Sequence, residues 1–346
     1  MFRISGSRTV MQHSVRLSFS LAGTAALALA SMPFSSSPVG AEEVKVVQAT
    51  AANLDDMAVS LKDAVQFNWG FQGQTQGAGT PNAIGIGGFL PLAVGSNSVA
   101  FLDVLANANL ADIGNSSSII NTKVAGTTIS TSTRLGYRWL NSDRSWMFGV
   151  NAGYDSRPMT TGQPDTGVVV SNSQTVFFQQ VAAGLEAVSN SWNFNAYALV
   201  PVGTTNDRLN SVYQGGSLDT YGLDAGYSIT PDFNASLGYY YQHGDLNTAD
   251  GSGVRGRLAY NLSNGLTIGA NLSYDQAFNT RFSADLKYRF GSNGYGAPSK
   301  KKAWETPVIQ ALSSTVKNRD VRVHDWCTTR SGQVTSPLAC DLHNIF

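Results

Sequence analysis

The chain has 346 residues, of which 42% are hydrophobic and only 13% are charged, and its formal net charge is zero. Soluble domains carry about 25% charged residues, yet the mean hydropathy of this chain is only −0.10. A neutral chain argues against nucleic acid as a partner. The sequence contains no run of about 18 apolar residues, so it predicts no membrane-spanning helix.

Residues 1–41 have the features of a secretory signal peptide. Arginines precede a short apolar core at residues 17–27, and a small-x-small site ends at Ala41. We expect cleavage after Ala41. The alternative is an uncleaved helical anchor, but this apolar core is too short to cross a hydrocarbon layer of about 30 Å.

The residues after the signal predict a short helix. Asn53 is a suitable N-cap, and Asp55 and Asp56 lie in the first turn, where the helix dipole favours acidic side chains. We interpret residues 42–64 as a periplasmic lead-in or a plug against a barrel mouth. The two aspartates are explained by the helix start and need no catalytic role.

Between residues 65 and 290 the chain alternates apolar and polar side chains in segments of about ten residues. Phe282 and Leu286, for example, lie on one face of a strand, and Asp285 and Lys287 lie on the other. The polar face requires water, and lipid is the expected cover of the apolar face. We predict an all-β fold, a transmembrane antiparallel β-barrel of about twelve strands with a short N-terminal helix and an irregular C-terminal tail. The predicted strands are residues 65–72, 84–92, 99–109, 127–140, 145–155, 175–188, 192–202, 218–229, 233–243, 254–262, 266–276 and 281–290.

Short connections rich in turn residues alternate with long polar loops along this region. All long loops then emerge on one side, which in bacterial barrels is the cell exterior, and the short turns lie in the periplasm. We therefore expect the protein in the bacterial outer membrane, secreted through the inner membrane by its cleaved signal peptide. Outer-membrane lipid and the barrel-assembly machinery are the expected partners, and Phe290, the last residue of the last predicted strand, is the expected assembly signal.

Ten charged residues fall on the predicted lumen face of the strands. Two interpretations stay open: these residues pair with one another and make the barrel rigid, or they select ions in a wet lumen. They are Arg134, Arg138, Glu186, Asp224, Arg255, Arg257, Asp275, Asp285, Lys287 and Arg289.

The residues of known catalytic motifs are absent from the sequence. No Gly-x-Ser-x-Gly, His-Glu-x-x-His or phosphate-binding glycine loop occurs. His243 and Asp245 could form half of an acid–base pair, but a polar loop is the simpler explanation and the one we adopt. We predict no enzymatic activity, no catalytic residue, no cofactor and no bound metal.

Residues 291–346 predict a basic linker and a short tail that contains both cysteines. In an exported protein we expect a disulfide between Cys327 and Cys340, closing a loop of about 14 residues that contributes roughly 3 kcal/mol to stability. The alternative is tetrahedral zinc, because His324 and His343 complete a ligand set of suitable type.

Two stretches of the sequence resemble the β-domain of inverse autotransporters, the intimin and invasin family. They are residues 132–141, with Leu135-Gly-Tyr-Arg138, and residues 146–155, with Trp-Met-Phe-Gly-Val-Asn-Ala-Gly-Tyr-Asp. Residues 306–323 look similar to the segment that follows the barrel in that family. The resemblance implies a twelve-stranded barrel whose C-terminal linker passes up the lumen and displays a passenger outside.

Two differences from that family limit what the resemblance implies. Only about 55 residues follow the barrel, where family adhesins carry arrays of immunoglobulin-like domains, and residues 42–64 are too few for a peptidoglycan-binding module. The resemblance therefore implies anchoring and translocation for this chain, but it does not imply adhesion. We predict a translocator and anchor that displays or exports its own short C-terminal segment.

The alternative is a small porin-like diffusion channel whose tail stays in the periplasm, where Lys300, Lys301 and Lys302 contact anionic cell-wall material. A rigid barrel closed by its own charge pairs is a third interpretation. A cell-wall or surface ligand is expected as a further partner, and its identity is open.

Overall fold

The computed structural model describes residues 61–110, 128–160, 171–244, 249–263, 265–291 and 307–327. Twelve long strands close into an antiparallel barrel. This confirms the predicted fold class and the number of strands. The predicted signal peptide and the N-cap of the lead-in helix lie outside the described residues.

The described residues form two helices and fourteen strands. The helices are α1 (Leu61–Ala64) and α2 (Pro307–Ala311). The barrel strands are β1 (Asn68–Gln74), β2 (Asn82–Val94), β3 (Ser98–Leu110), β4 (Thr128–Leu140), β5 (Trp146–Met159), β6 (Val176–Ser189), β7 (Trp192–Val202), β9 (Tyr213–Ser228), β10 (Phe233–Gly244), β11 (Gly251–Ser263), β12 (Leu266–Asp275) and β13 (Asn279–Phe290). The two short strands are β8 (Asn206–Arg208) and β14 (Val323–Cys327).

Each barrel strand pairs with the next along the chain, and β13 returns to pair with β1. Trp69 lies opposite Phe290 at this closing seam, and the two rings stack with centroids 4.7 Å apart. Closure leaves no unpaired strand edge, which a sheet surrounded by lipid requires. A one-residue shift of register would turn the polar face of β13 toward lipid.

The two ends of the barrel differ in their connections. We call the end with the brief turns between β2 and β3, β4 and β5, β6 and β7, β9 and β10, and β11 and β12 the short-turn end, and the opposite end the long-loop end. At the short-turn end Asn141 accepts a hydrogen bond from the backbone N–H of Trp146 at 2.9 Å, as expected of an asparagine in a turn.

Some strands are longer than predicted at the long-loop end. Strand β5 extends to Met159, and β9 begins at Tyr213 rather than at residue 218. The first residues of β9 pair with β8 on one edge and β14 on the other, forming a small sheet that continues the barrel wall. Gly215 and Gly216 interrupt the apolar alternation there, so the pattern does not reveal this strand.

The outer surface of the barrel is apolar, as predicted from the alternation. Leu237 and Phe282 are 69% and 66% exposed. Tryptophans lie near strand termini at the short-turn end, and tyrosines near those at the long-loop end, where interfacial aromatic side chains are expected. They are Trp69, Trp139, Trp146 and Trp192 at one end and Tyr154, Tyr221, Tyr239, Tyr241 and Tyr274 at the other.

The described part of the C-terminal tail is more regular than expected, since it contains α2 and β14. Neither α1 nor α2 has the length or apolar character that a membrane-crossing helix needs, and the structure describes no other helix that does.

Placing a charge on the outer face tests the assignment of that face to lipid. Leu237→Arg, near the middle of β10, should lower the free energy of unfolding in lipid vesicles by roughly 2–4 kcal/mol. Thr204→Arg, which places the same charge in an exposed loop, should change it by less than about 0.5 kcal/mol. Equal stability of the two variants in a denaturant titration would contradict the assignment.

Candidate functional site

The barrel lumen contains residues 307–327, which we call the lumen segment. Its first residues, in α2, pack against Leu140 and Met147 at the short-turn end. Its last residues, in β14, pair with the start of β9 at the long-loop end. The lumen segment therefore passes through the barrel from one end to the other.

A hydrophobic cluster, which we call the mouth cluster, closes part of the short-turn end. It joins α1 and α2 to the inner faces of β2 to β5. Of the predicted lead-in or plug, only residues 61–64 are described, so the choice between the two stays a prediction. The buried members of the mouth cluster are Leu61, Ala64, Val65, Phe89, Val99, Phe101, Leu140, Met147, Val308, Ile309, Ala311, Leu312 and Val316.

Arg138, one of the predicted lumen residues, holds the segment just above this cluster. Its guanidinium donates to Glu186 at 2.8 and 3.1 Å, and also to the backbone carbonyls of Leu312 at 3.2 Å and Ser314 at 2.7 Å. It lies 4.4 Å from the ring centroid of Phe101. A fully buried charge is tolerated in such a place because its donors are satisfied.

Arg134 forms a second buried ion pair, with Asp155. Two parallel bonds of 2.6 Å join the guanidinium to the carboxylate, the bidentate arrangement that arginine favours. Arg134 also donates to the carbonyl of Asn318 at 3.4 Å, and Gln180 donates both to Asp155 at 2.7 Å and to the carbonyl of Asp320 at 3.3 Å.

Asp103 and Arg319 form the contact with most bonds between the wall and the segment. Arg319 donates to the carboxylate of Asp103 at 2.6 Å and to its carbonyl at 2.9 Å, and also to the hydroxyl and carbonyl of Ser132 at 2.8 and 3.1 Å. The second carboxylate oxygen of Asp103 accepts the backbone N–H of Val316 at 2.8 Å. Neither Asp103 nor Arg319 is among the ten predicted lumen residues.

Asn318 contacts the opposite wall. Arg255 pairs with Asp224 and donates to the amide oxygen of Asn318 at 2.6 Å, while the amide nitrogen of Asn318 donates to Asp224 at 3.3 Å. The φ of Asn318 is +55°, a left-handed conformation that asparagine adopts more readily than most residues. The turn at this residue lets the segment bond to both sides of the lumen.

Near the long-loop end, Arg322 of the segment pairs with Asp275 at 3.2 Å. Its guanidinium lies 4.7 Å from the ring centroid of Tyr240, whose hydroxyl donates to the same carboxylate at 2.6 Å. Arg157 donates to the carbonyl of Val321 at 2.9 Å. The lumen is thus filled at this end by ion-paired and aromatic side chains.

The remaining predicted lumen residues lie on β11 and β13. Arg257 pairs with Asp285, and Asn271 donates to that carboxylate at 3.0 Å. Arg289 donates to the carbonyl of Gly87 at 3.1 Å. Lys287 forms no ion pair with any part of the chain that the structure describes.

The predicted residues of the loops and tail are only partly described. His243 pairs with Asp250 at 2.7 Å, and Asp245 lies outside the described residues. Cys340 and His343 also lie outside them, so the disulfide with Cys327 and the alternative zinc site both stay predictions.

Comparisons with known proteins identify the barrel fold, but no family and no function. No protein-family profile matches the chain, and no curated protein sequence does. A structure described as "Unveiling the Mechanism Behind the in-meso Crystallization of Membrane Proteins" has a TM-score of 0.53 at 11% identity, and the match covers 75% of this chain and 100% of that one.

Two further solved structures are more distant. The KdgM porin has a TM-score of 0.38 at 8% identity, covering 64% of this chain and 99% of that chain. Outer membrane phospholipase A from Escherichia coli has a TM-score of 0.36 at 13% identity, covering 67% and 98%. These comparisons give the inverse-autotransporter resemblance no support. What the chain shares with such proteins is the closed barrel fold.

Removing one partner of the Asp103–Arg319 pair should weaken the hold on the segment. Arg319→Leu leaves a buried carboxylate without its cation, so we expect a loss of roughly 3–5 kcal/mol in the free energy of unfolding. Adding Asp103→Asn should recover part of that loss. Denaturant titrations and protease cleavage of the segment would measure both effects, and Arg208→Leu, at an exposed position, is the control.

Proposed function

We propose that the protein is an outer-membrane barrel that anchors its own C-terminal region and carries it to the side of the long loops. The single observation behind this proposal is the course of the lumen segment from the short-turn end to the long-loop end. Residues beyond Cys327 would follow β14 out of the barrel at that end.

The way the wall holds the segment favours this function over a packed structural core. Several wall side chains donate to backbone carbonyls of the segment rather than to its side chains. The donors are Asn68, Arg134, Arg138, Arg157 and Gln180, and the acceptors are Ser313, Asn318, Leu312, Ser314, Val321 and Asp320. These backbone contacts can hold an extended polypeptide in the lumen, and the side chains of Asn318, Arg319 and Arg322 add the bonds that fix this particular segment. Such a lumen suits the translocator and anchor domain of the inverse-autotransporter type.

An epitope tag after Phe346 tests the direction of display. Antibody added to intact cells should label this tag, because the proposed path ends outside. A tag inserted at Thr204, in a connection at the long-loop end, should also be labelled, and one inserted at Pro231, in a short turn, should not. If the terminal tag is labelled only after the outer membrane is permeabilised, the proposal is wrong.

The second candidate is a diffusion channel that the lumen segment closes. The polar and charged inner face favours it, since a barrel without a pore has no need of a wet lumen. In this case the segment would act as a plug, and the tail would stay in the periplasm.

Conductance in planar bilayers separates the two candidates. A chain truncated after Gly291 should open stable channels, because it lacks the lumen segment. The full chain, and a chain truncated after Cys327 that keeps the segment, should both stay closed. A reversible plug would instead let the full chain open under applied voltage to the conductance of the shorter truncation, and that result would make the diffusion channel the better assignment.

A further inference from the structure

The lumen segment bonds to both sides of the barrel but covers the inner face of β3 more completely than that of β13. The inward side chains of β3 are all buried, from Val99 to Asn109. Those of β13 are all partly exposed, from Arg281 to Arg289. The difference means that water reaches the β13 side of the lumen.

On this wet side, the inward side chains become less exposed from the short-turn end toward the long-loop end. On β10 the inward residues Asn234 and Ser236, near the short-turn end, are partly exposed, whereas Tyr240 and Gln242, farther along, are 2% and 1% exposed. Asp275 is also fully buried there. The wet space therefore closes toward the long-loop end.

At the other end, the described residues of the mouth cluster do not cover this space. The buried strand residues of the cluster come from β2 to β5, and none comes from β9 to β13. The result is a blind vestibule, which we define by Ser236, Arg257, Asp285, Lys287 and Lys317.

The vestibule has an excess of positive charge. Arg257 and Asp285 neutralise each other as an ion pair. Lys287 and Lys317 have no ion-pair partner in the described ranges, and the only hydrogen bond of the Lys317 ammonium there goes to the amide oxygen of Asn193 at 3.2 Å. Both lysines lie within electrostatic range of Arg257, and also of carboxylates: Asp285 and Asp320 for Lys287, and Asp224 and Glu186 for Lys317.

We propose that this vestibule binds small anions, carrying phosphate or carboxylate groups, that enter from the short-turn side. One ammonium group on the wall and one on the segment, both within electrostatic range of Arg257, suit such a ligand. Low-dielectric walls around the space focus their field on whatever enters it. The inference does not depend on whether the segment displays the tail or plugs a channel.

A cysteine reporter at Ser236 tests both the hydration and the charge. The full chain in detergent, with Cys327→Ser and Cys340→Ser, would carry Ser236→Cys, which lies opposite Arg257 on the neighbouring strand. Sulfonatoethyl methanethiosulfonate is the anionic reagent and trimethylammonioethyl methanethiosulfonate the cationic one. Thr220→Cys, 2% exposed at the closed end, is the matched control, and heat-modifiable gel migration verifies that each variant folds.

We expect the ratio of anionic to cationic reaction rates at Ser236→Cys to exceed that of a free thiol by about fivefold. Lys287→Gln with Lys317→Gln should bring this ratio close to the free-thiol value, and Arg208→Gln should leave it unchanged. Inorganic phosphate should slow the anionic reagent only while both lysines are present.

Two results would overturn the inference. A Ser236→Cys as unreactive as Thr220→Cys would mean that the vestibule is dry. A rate ratio that survives the removal of both lysines, or a reaction that phosphate does not slow, would mean that the lysines bind no anion.

Discussion

A charge without a partner is costly in a poorly hydrated interior, and this constraint governs the inside of the barrel. Lipid outside forces the polar side chains of every strand inward, where water cannot reach all of them. Some buried charges of the wall find their partners within the wall itself, as in the ion pairs Arg134–Asp155 and Arg138–Glu186. The lumen segment supplies the rest, with Arg319 for Asp103. The barrel and its C-terminal segment therefore form one electrostatic unit.

The position of the segment explains why the inner faces of β3 and β13 differ in polarity. Strand β3 has apolar residues on both faces, since Val104 meets lipid and Phe101 packs in the mouth cluster. Strand β13 has a polar inner face with Asp285 and Lys287, because water covers that wall. Apolar residues on the inner face of a barrel strand thus indicate that another part of the protein covers that face. The sequence of β3 already showed such residues at Val99, Phe101 and Leu105.

The sequence predicts which charged residues face the lumen, but not which of them form ion pairs with one another. Parity along each strand puts all ten predicted residues on the inward face, because side chains alternate strictly between the two sides. The same rule would have found Asp103 and Asp155. It could not have found Arg319, because no periodic pattern marks a single extended chain lying inside a barrel.

By itself the sequence determined which side of each strand meets lipid, how many strands there are and where the short turns lie, since a period of two and the choice of turn residues are local properties. Only the tertiary structure decided that residues 307–327 lie in the lumen and that one wall stays wet. Asp103 and Arg319 are 216 residues apart in the chain. The interior that brings them together exists only after β13 has paired with β1, so no local pattern can describe it.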